Sequence, residues 1–212
     1  MLERGRFLVL EGIDGCGKTT QIAHLRQWLP SSGLMPKGAE LLITREPGGT
    51  ALGQALRELL LHPPGEAAPC STAELLLYAA DRAQHVHTTI EPALAAGHWV
   101  ISDRFSGSTA AYQGYGRGLS LALIEQLRAI ACGGLQPDLT VLLELPLQES
   151  QRRRAHRAAD RIEASGEVFL EKVCAGFGRL AAEPGWHRLD AGQAPEQVSA
   201  ALERVIAMHL SD

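Results

Sequence analysis

Residues 12–19 read Gly12-Ile13-Asp14-Gly15-Cys16-Gly17-Lys18-Thr19, the full G-x-x-x-x-G-K-[ST] spacing of a phosphate-binding loop, with Thr20 directly after it. Its glycines let the backbone bend so that N–H groups point inward at an anion, and a helix starting at Lys18 would add its positive dipole end. The Lys18 ammonium suits the β- and γ-phosphates of a nucleoside triphosphate, and the Thr19 hydroxyl suits Mg²⁺. The apolar run Phe7-Leu8-Val9-Leu10 precedes the loop and a helical pattern follows it. That is the strand–loop–helix setting the motif requires.

Other polar constellations fall where strands end or helices begin. Thr44-Arg45-Glu46-Pro47-Gly48-Gly49-Thr50 predicts a sharp turn that aims Arg45 and Glu46 into a crevice, although the same pair also suits a surface ion pair. Arg57, twelve residues after Arg45, can approach the same space. In Val100-Ile101-Ser102-Asp103-Arg104-Phe105 an acid ends an apolar strand, a position that suits the Mg²⁺-side carboxylate of phosphate-loop enzymes, with Arg104 beside it for a phosphate. Because those partners are ligands, Arg104→Ala is expected to lower turnover far more than stability. Tyr78 and Arg82 stand at i, i+4 on one helix face and could sandwich and hydrogen-bond a nucleobase. A core tyrosine beside a solvated arginine has the same spacing. Ser108, Thr109, Tyr112 and Gln113 offer hydroxyl, phenol and amide groups just before a glycine-rich bend. Finally, Arg152, Arg153, Arg154, Arg157 and Arg161 place five arginines in ten residues. Such a run is usually a solvated helix face, but its self-repulsion also suits a mobile lid, about residues 151–163, that closes on a polyphosphate.

These residues need a scaffold, and the apolar pattern supplies one. Strands are expected at Phe7–Glu11, Leu41–Thr44, His98–Ser102, Thr140–Glu144 and His187–Asp190. Helices are expected at Lys18–Leu29, Ala51–Leu61, Thr72–Ala96, Ala122–Ala131, Leu147–Arg157, Glu167–Ala182 and Glu196–Leu210, with loops at Pro30–Gly38 and Pro63–Pro69. Short apolar strands alternating with helices predict an α/β fold, a five-stranded parallel sheet covered by helices, whose ligands sit beyond the carboxyl ends of the strands. No linker is evident, so one domain over residues 1–212 is expected.

The chain has 212 residues, 45% hydrophobic and 21% charged, as expected of an ordinary globular protein. A net charge of −4 argues against a general nucleic-acid surface, and no apolar run reaches membrane-spanning length. Met1–Arg6 carry no signal-peptide core. Cys16, Cys70, Cys132 and Cys174 are scattered, without metal-ligand spacing. A cytoplasmic location is expected.

Taken in order, the phosphate loop, Arg45-Glu46-Pro47-Gly48-Gly49-Thr50, Asp103-Arg104-Phe105, Ala111-Tyr112-Gln113-Gly114 and Asp160-Arg161-Ile162-Glu163 closely resemble the bacterial thymidylate kinase (dTMP kinase) family over essentially the whole chain. The resemblance implies a P-loop NTPase-like fold, ATP and Mg²⁺, transfer of the γ-phosphoryl group to dTMP, and a homodimer. By similarity, Asp14 contacts the sugar 3′-hydroxyl, Tyr78 stacks on thymine and Arg82 binds the base. Arg45, Arg57 and Arg104 lie near the dTMP phosphate, Thr109 and Gln113 contact the base, and Tyr112 disfavours a 2′-hydroxyl. Gly15 stands where some members carry a catalytic arginine, which shifts that role to the lid: Arg152 first, with Arg154 and Arg157 as backups. Cys16 replaces a usual alanine, and His156 stands where arginine is common. Asp190-Ala191 is a plausible neighbour for adenine. The rivals are another small nucleotide or nucleoside kinase and a GTP-binding switch; the latter needs an N-K-x-D segment, which the sequence lacks.

Overall fold

The structure, a computed structural model, describes residues 3–65, 67–156 and 160–210. Five strands, β1 (Phe7–Glu11), β2 (Leu41–Arg45), β3 (Trp99–Asp103), β4 (Leu139–Glu144) and β5 (Trp186–Asp190), form one parallel sheet in the order β2-β3-β1-β4-β5. All five residues of β1 are buried, whereas edge strands β2 and β5 are only partly covered. This gradient explains the sequence pattern: central strands of a doubly covered sheet read as continuous apolar runs.

Side-chain alternation splits the core. Leu8, Leu10, Ile101, Val141 and Leu143 face α1 (Lys18–Trp28) and the last helix. Phe7, Val9 and Val100 face the opposite layer, with Phe105, Val86, Ile90 and Leu94. Each such fully buried side chain contributes about 1.5–3 kcal/mol. The remaining helices are α2 (Ala51–Leu61), α3 (Ser71–His85), α4 (Glu91–Ala95), α5 (Ser106–Thr109), α6 (Leu121–Cys132), α7 (Leu147–Arg154), α8 (Glu167–Leu180) and α9 (Pro195–Leu210).

The expected elements are present, with boundaries moved by up to three residues (α7 ends at Arg154 rather than Arg157), and there are two substantive differences. The single helix expected over Thr72–Ala96 is broken by a π-helical stretch, Val86–Ile90, between α3 and α4. A second π-helical stretch, Ala110–Gly116, follows α5. Neither was readable as a periodicity, because a π turn adds a residue to the helical repeat, and such turns gather at functional sites.

Candidate active site

Three strand ends converge at the carboxyl edge of the sheet. The Arg104 amide donates to the Leu10 carbonyl at 2.9 Å, and the Glu46 amide donates to the Asp103 carbonyl at 2.9 Å. The residues that follow β1, β2 and β3 are therefore tied side by side, where open α/β sheets bind ligands. From β1 the chain turns at Gly12, Gly15 and Gly17, with φ of 138°, 79° and 99°. At Gly12 a Cβ would lie 2.6 Å from the Leu143 carbonyl oxygen, so this turn accepts only glycine. Lys18 is buried, and its Nζ donates to the carbonyls of Gly12 at 3.0 Å and Ile13 at 3.2 Å. The ammonium is thus held over its own loop. Thr19 and Thr20 begin α1 and are exposed.

Arg104 is the only non-glycine residue with positive φ among the described residues, at 72°. Such strain collects where a function requires a fixed geometry. The guanidinium donates to the Gly12 carbonyl at 2.8 Å, Asp14 Oδ1 at 2.9 Å and Ser108 Oγ at 3.0 Å, and it lies 5.2 Å from the Tyr112 ring centroid. Burial alone would lower its pKa; the surrounding Tyr112, Asp14, Asp103 and Glu11 raise it overall, which keeps it cationic. These partners are protein groups. Losing Arg104 would therefore remove a hydrogen bond from each of Asp14 and Ser108, so a loss of stability is expected alongside the loss of turnover expected from sequence.

Beside the loop lies a cavity with about 540 Å³ of empty space. Its wall includes Asp14, Glu46, Arg57, Tyr78, Arg82, Arg104, Ser108, Thr109, Tyr112 and Gln113. These are ten of the eleven side chains singled out for a substrate; Arg45, exposed at the end of β2, lies outside the wall. Arg82, on α3, is held on three sides: Nε donates to Glu46 Oε2 at 2.8 Å, Nη1 to Thr109 Oγ1 at 2.9 Å and Nη2 to the Phe105 carbonyl at 3.0 Å. Burial pushes the Tyr78 phenol pKa up, so it stays neutral. Burial, then the like charge of Arg45, lowers the Arg57 pKa, and Arg104 adds to this. Cations crowded in this way suit a bound anion.

The arginine segment reaches back to the same loop. Ser150 Oγ donates to the Asp14 carbonyl at 2.7 Å. Arg153 donates to the carbonyls of Ala191 at 3.0 Å and Gly15 at 3.4 Å. Arg154 pairs with Glu163 at 3.2 Å, and its Cγ would lie 3.2 Å from a Cβ built at Gly15. Arg152 points away: its side chain is 75% exposed and pairs with Glu149 at 2.7 Å. Arg157 lies outside the described residues.

Residues 10–202 match the family model for thymidylate kinase. The chain is 64% identical to a thymidylate kinase of Synechococcus sp. (strain RCC307) over 203 residues, 96% of each chain. It is 66% identical to that of Prochlorococcus marinus (strain MIT 9313) over 205 residues, 97% of this chain and 95% of the relative. The chain belongs to the thymidylate kinase family. A solved thymidylate kinase from Ehrlichia chaffeensis superposes with a TM-score of 0.78 at 32% identity, covering 97% of this chain and 100% of that one. The sheet and loop described above are accordingly a P-loop NTPase-like fold.

For a thymidylate kinase the place of Mg²⁺ can be tested on the residues themselves. Two buried side-chain oxygens among the described residues have no hydrogen-bond partner, Asp81 Oδ2 and Asp103 Oδ1. Asp103 ends β3 in register with Leu10, two residues before the phosphate loop. An orphaned carboxylate oxygen there, with the Thr19 hydroxyl, fits a cation that takes one or two protein oxygens alongside substrate phosphates.

Several residues that build this kinase site, Glu11, Asp81, His85 and Asp160 among them, had no role assigned from sequence. Glu11 accepts from the Phe105 amide at 3.0 Å, the Ser108 amide at 2.9 Å and Ser108 Oγ at 2.6 Å, fixing the turn that carries Arg104. Burial raises its pKa. Glu46 is clamped by Arg82 and by His85 Nδ1 at 3.0 Å, and His85 Nε2 lies 2.6 Å from Thr44 Oγ1. Asp81 Oδ1 accepts the Gly48 amide at 3.1 Å and so supports the Pro-Gly-Gly turn. Asp160 joins the cavity wall. Glu11 is the last residue of β1 and Asp81 lies within α3; no local spacing in the sequence distinguishes either.

Proposed function

We infer that this protein is an ATP-dependent dTMP kinase that makes dTDP, with Mg²⁺ at Thr19 and Asp103. The single observation that carries the reading is the shared position of Arg104. It joins the carbonyl of Gly12 and Asp14 in the phosphate loop to Ser108 and Tyr112 in the acceptor cavity. Donor and acceptor phosphates thus meet around one guanidinium.

No protein nucleophile is needed, because the acceptor phosphate oxygen is already anionic. The difficulty is repulsion between two polyanions: one pair of unit charges about 4 Å apart repels by about 4 kcal/mol at an effective dielectric near 20. Lys18, Arg104, Arg57 and the lid arginines offset this and stabilise charge on the transferring group. Bound Mg²⁺ would supply further neutralisation at the β- and γ-oxygens. Tyr78 and Arg82 hold the base, with Thr109 and Gln113 on its edge, and Tyr112 lies against the sugar. A single domain, a cytoplasmic location and a homodimer complete the reading. No helix among the described residues is long and apolar enough to cross a membrane.

ADP release measured with dTMP, dUMP, dCMP, AMP and thymidine tests the proposal. Preferred turnover of dTMP is expected. Turnover of thymidine or AMP with none of dTMP would instead favour another small kinase.

A further inference from the structure

Glu74 lies in α3, one turn before Tyr78, and its side chain is completely buried. Four donors converge on it. Gln113 Nε2 approaches Oε1 at 2.8 Å, Arg117 Nε and Nη2 approach at 3.2 Å each, and Arg161 Nη2 approaches Oε2 at 2.6 Å. Burial favours a protonated acid, but the hydrogen bonds from Arg117, Gln113 and Arg161 outweigh it and hold the pKa below its ordinary value. Glu74 is therefore a carboxylate, and a carboxylate only accepts.

That constraint decides how the Gln113 amide stands. A primary amide has a donor end and an acceptor end of nearly the same shape, and either could face a ligand. Here the acceptor-only Glu74 takes the nitrogen. Gln113 lines the acceptor cavity and is itself only 2% exposed, so the carbonyl oxygen is the polar end left for the base. We propose that Glu74 is a positioning residue that fixes the Gln113 amide with its oxygen toward the acceptor base, and thereby makes the site select a base bearing a ring N–H over one bearing a ring-nitrogen lone pair. This rests on the dTMP reading. Thymine and uracil carry a hydrogen on N3, whereas cytosine presents a lone pair there. A fixed carbonyl pairs with the first and repels the second. Because both ends of the amide are buried, the wrong base leaves polar groups unpaired, which is how a polar site reaches high selectivity.

The closing experiment compares kcat/KM for dTMP, dUMP and dCMP in the wild type and in Glu74→Gln, with thermal unfolding of both. The wild type should prefer dTMP over dCMP strongly, by about 10⁴-fold. In Glu74→Gln an amide faces an amide and Gln113 is free to turn. The dTMP-to-dCMP preference should then contract by about tenfold or more, the value of one directional hydrogen bond. The dTMP-to-dUMP ratio should not move, since those bases share N3–H. Equal losses for all three substrates would make Glu74 merely structural and overturn the proposal. Absence of dTMP turnover in the wild type would sink the kinase reading instead. A second measurement needs no variant: the side-chain amide protons of Gln113 in the nitrogen-15 spectrum of the wild type should exchange slowly with or without dTMP. Rapid exchange in the free protein that dTMP suppresses would put the nitrogen in the cavity and overturn the assignment.

Discussion

Asp81 shows how much of the acceptor site depends on a residue that touches no ligand. It is fully buried, and its pKa is pushed up to about 6, first by burial and then by the charge of Glu46. The Gly48 amide, His85 and Arg82 pull the other way without prevailing. A folded pKa above the unfolded value means that the native state binds the proton more tightly. The associated stability is complete below about pH 4 and is lost as the pH rises through about 6. Asp81→Asn copies the neutral form at every pH and keeps an oxygen for the Gly48 amide. Its melting temperature relative to wild type should therefore climb between pH 4 and 7, by the equivalent of up to about 3 kcal/mol. A difference that stays flat over that range would mean that Asp81 is not titrating there. The phosphate loop, Arg104, Tyr78 and Arg82 were readable from sequence because each follows a motif or a short spacing. Glu11, Glu74 and Asp81 were not, because their importance comes from partners 33 to 97 positions away that only the fold brings near.

The elements that carry these side chains were mostly apparent, since buried parallel strands and amphipathic helices write their periods into the chain. The π turns and the orientation of the arginine segment were not. Sequence favoured Arg152 as the catalytic lid residue, yet on α7 it faces solvent, while Arg153 and Arg154 lie against Gly15. Helical geometry accounts for the difference: successive residues are rotated by about 100°, so neighbours in a run of arginines point in different directions. Arg152→Ala should change kcat by less than about fivefold, the scale of a lost surface ion pair. Arg153→Ala and Arg154→Ala should each lower kcat by about 10²-fold, as for removal of a charge that stabilises the transition state. Steady-state kinetics of the three variants decide this, and the reverse order would return the role to Arg152. Glycines in helices divide in the same positional way. Gly178→Ala in α8 meets nothing within 4 Å and should stabilise by about 0.5–1 kcal/mol. In α2 a Cβ at Gly53 would lie 2.3 Å from Asp81 Oδ1, so Gly53→Ala should lower the melting temperature despite the better helix propensity.

α2, α3 and α6 pack side by side, with α3 between the other two, and each leaves large apolar side chains in water. Leu52 and Leu59 project from α2, Leu76 from α3, and Leu121, Leu123 and Ile130 from α6. A concentration of this kind on one layer marks a surface that is covered by another molecule. We propose a second copy of this chain as the occupant. The same helices carry Arg57, Glu74, Tyr78 and Arg82 on their inner sides, so covering the layer would brace the acceptor cavity from behind. Two consequences distinguish this from a chance cluster. First, the melting temperature should rise with protein concentration, because association stabilises only the folded form. Second, the wild type is expected to sediment as a dimer, and the double variant Leu76→Glu/Leu123→Glu, which would bring like charges together across a two-fold interface, as a monomer. In that monomer KM for dTMP should rise more than KM for ATP, since the phosphate loop is built on β1 and α1, away from this layer. A wild type that is monomeric at micromolar concentration, with a melting temperature independent of concentration, would exclude the dimer and leave these leucines to a different partner.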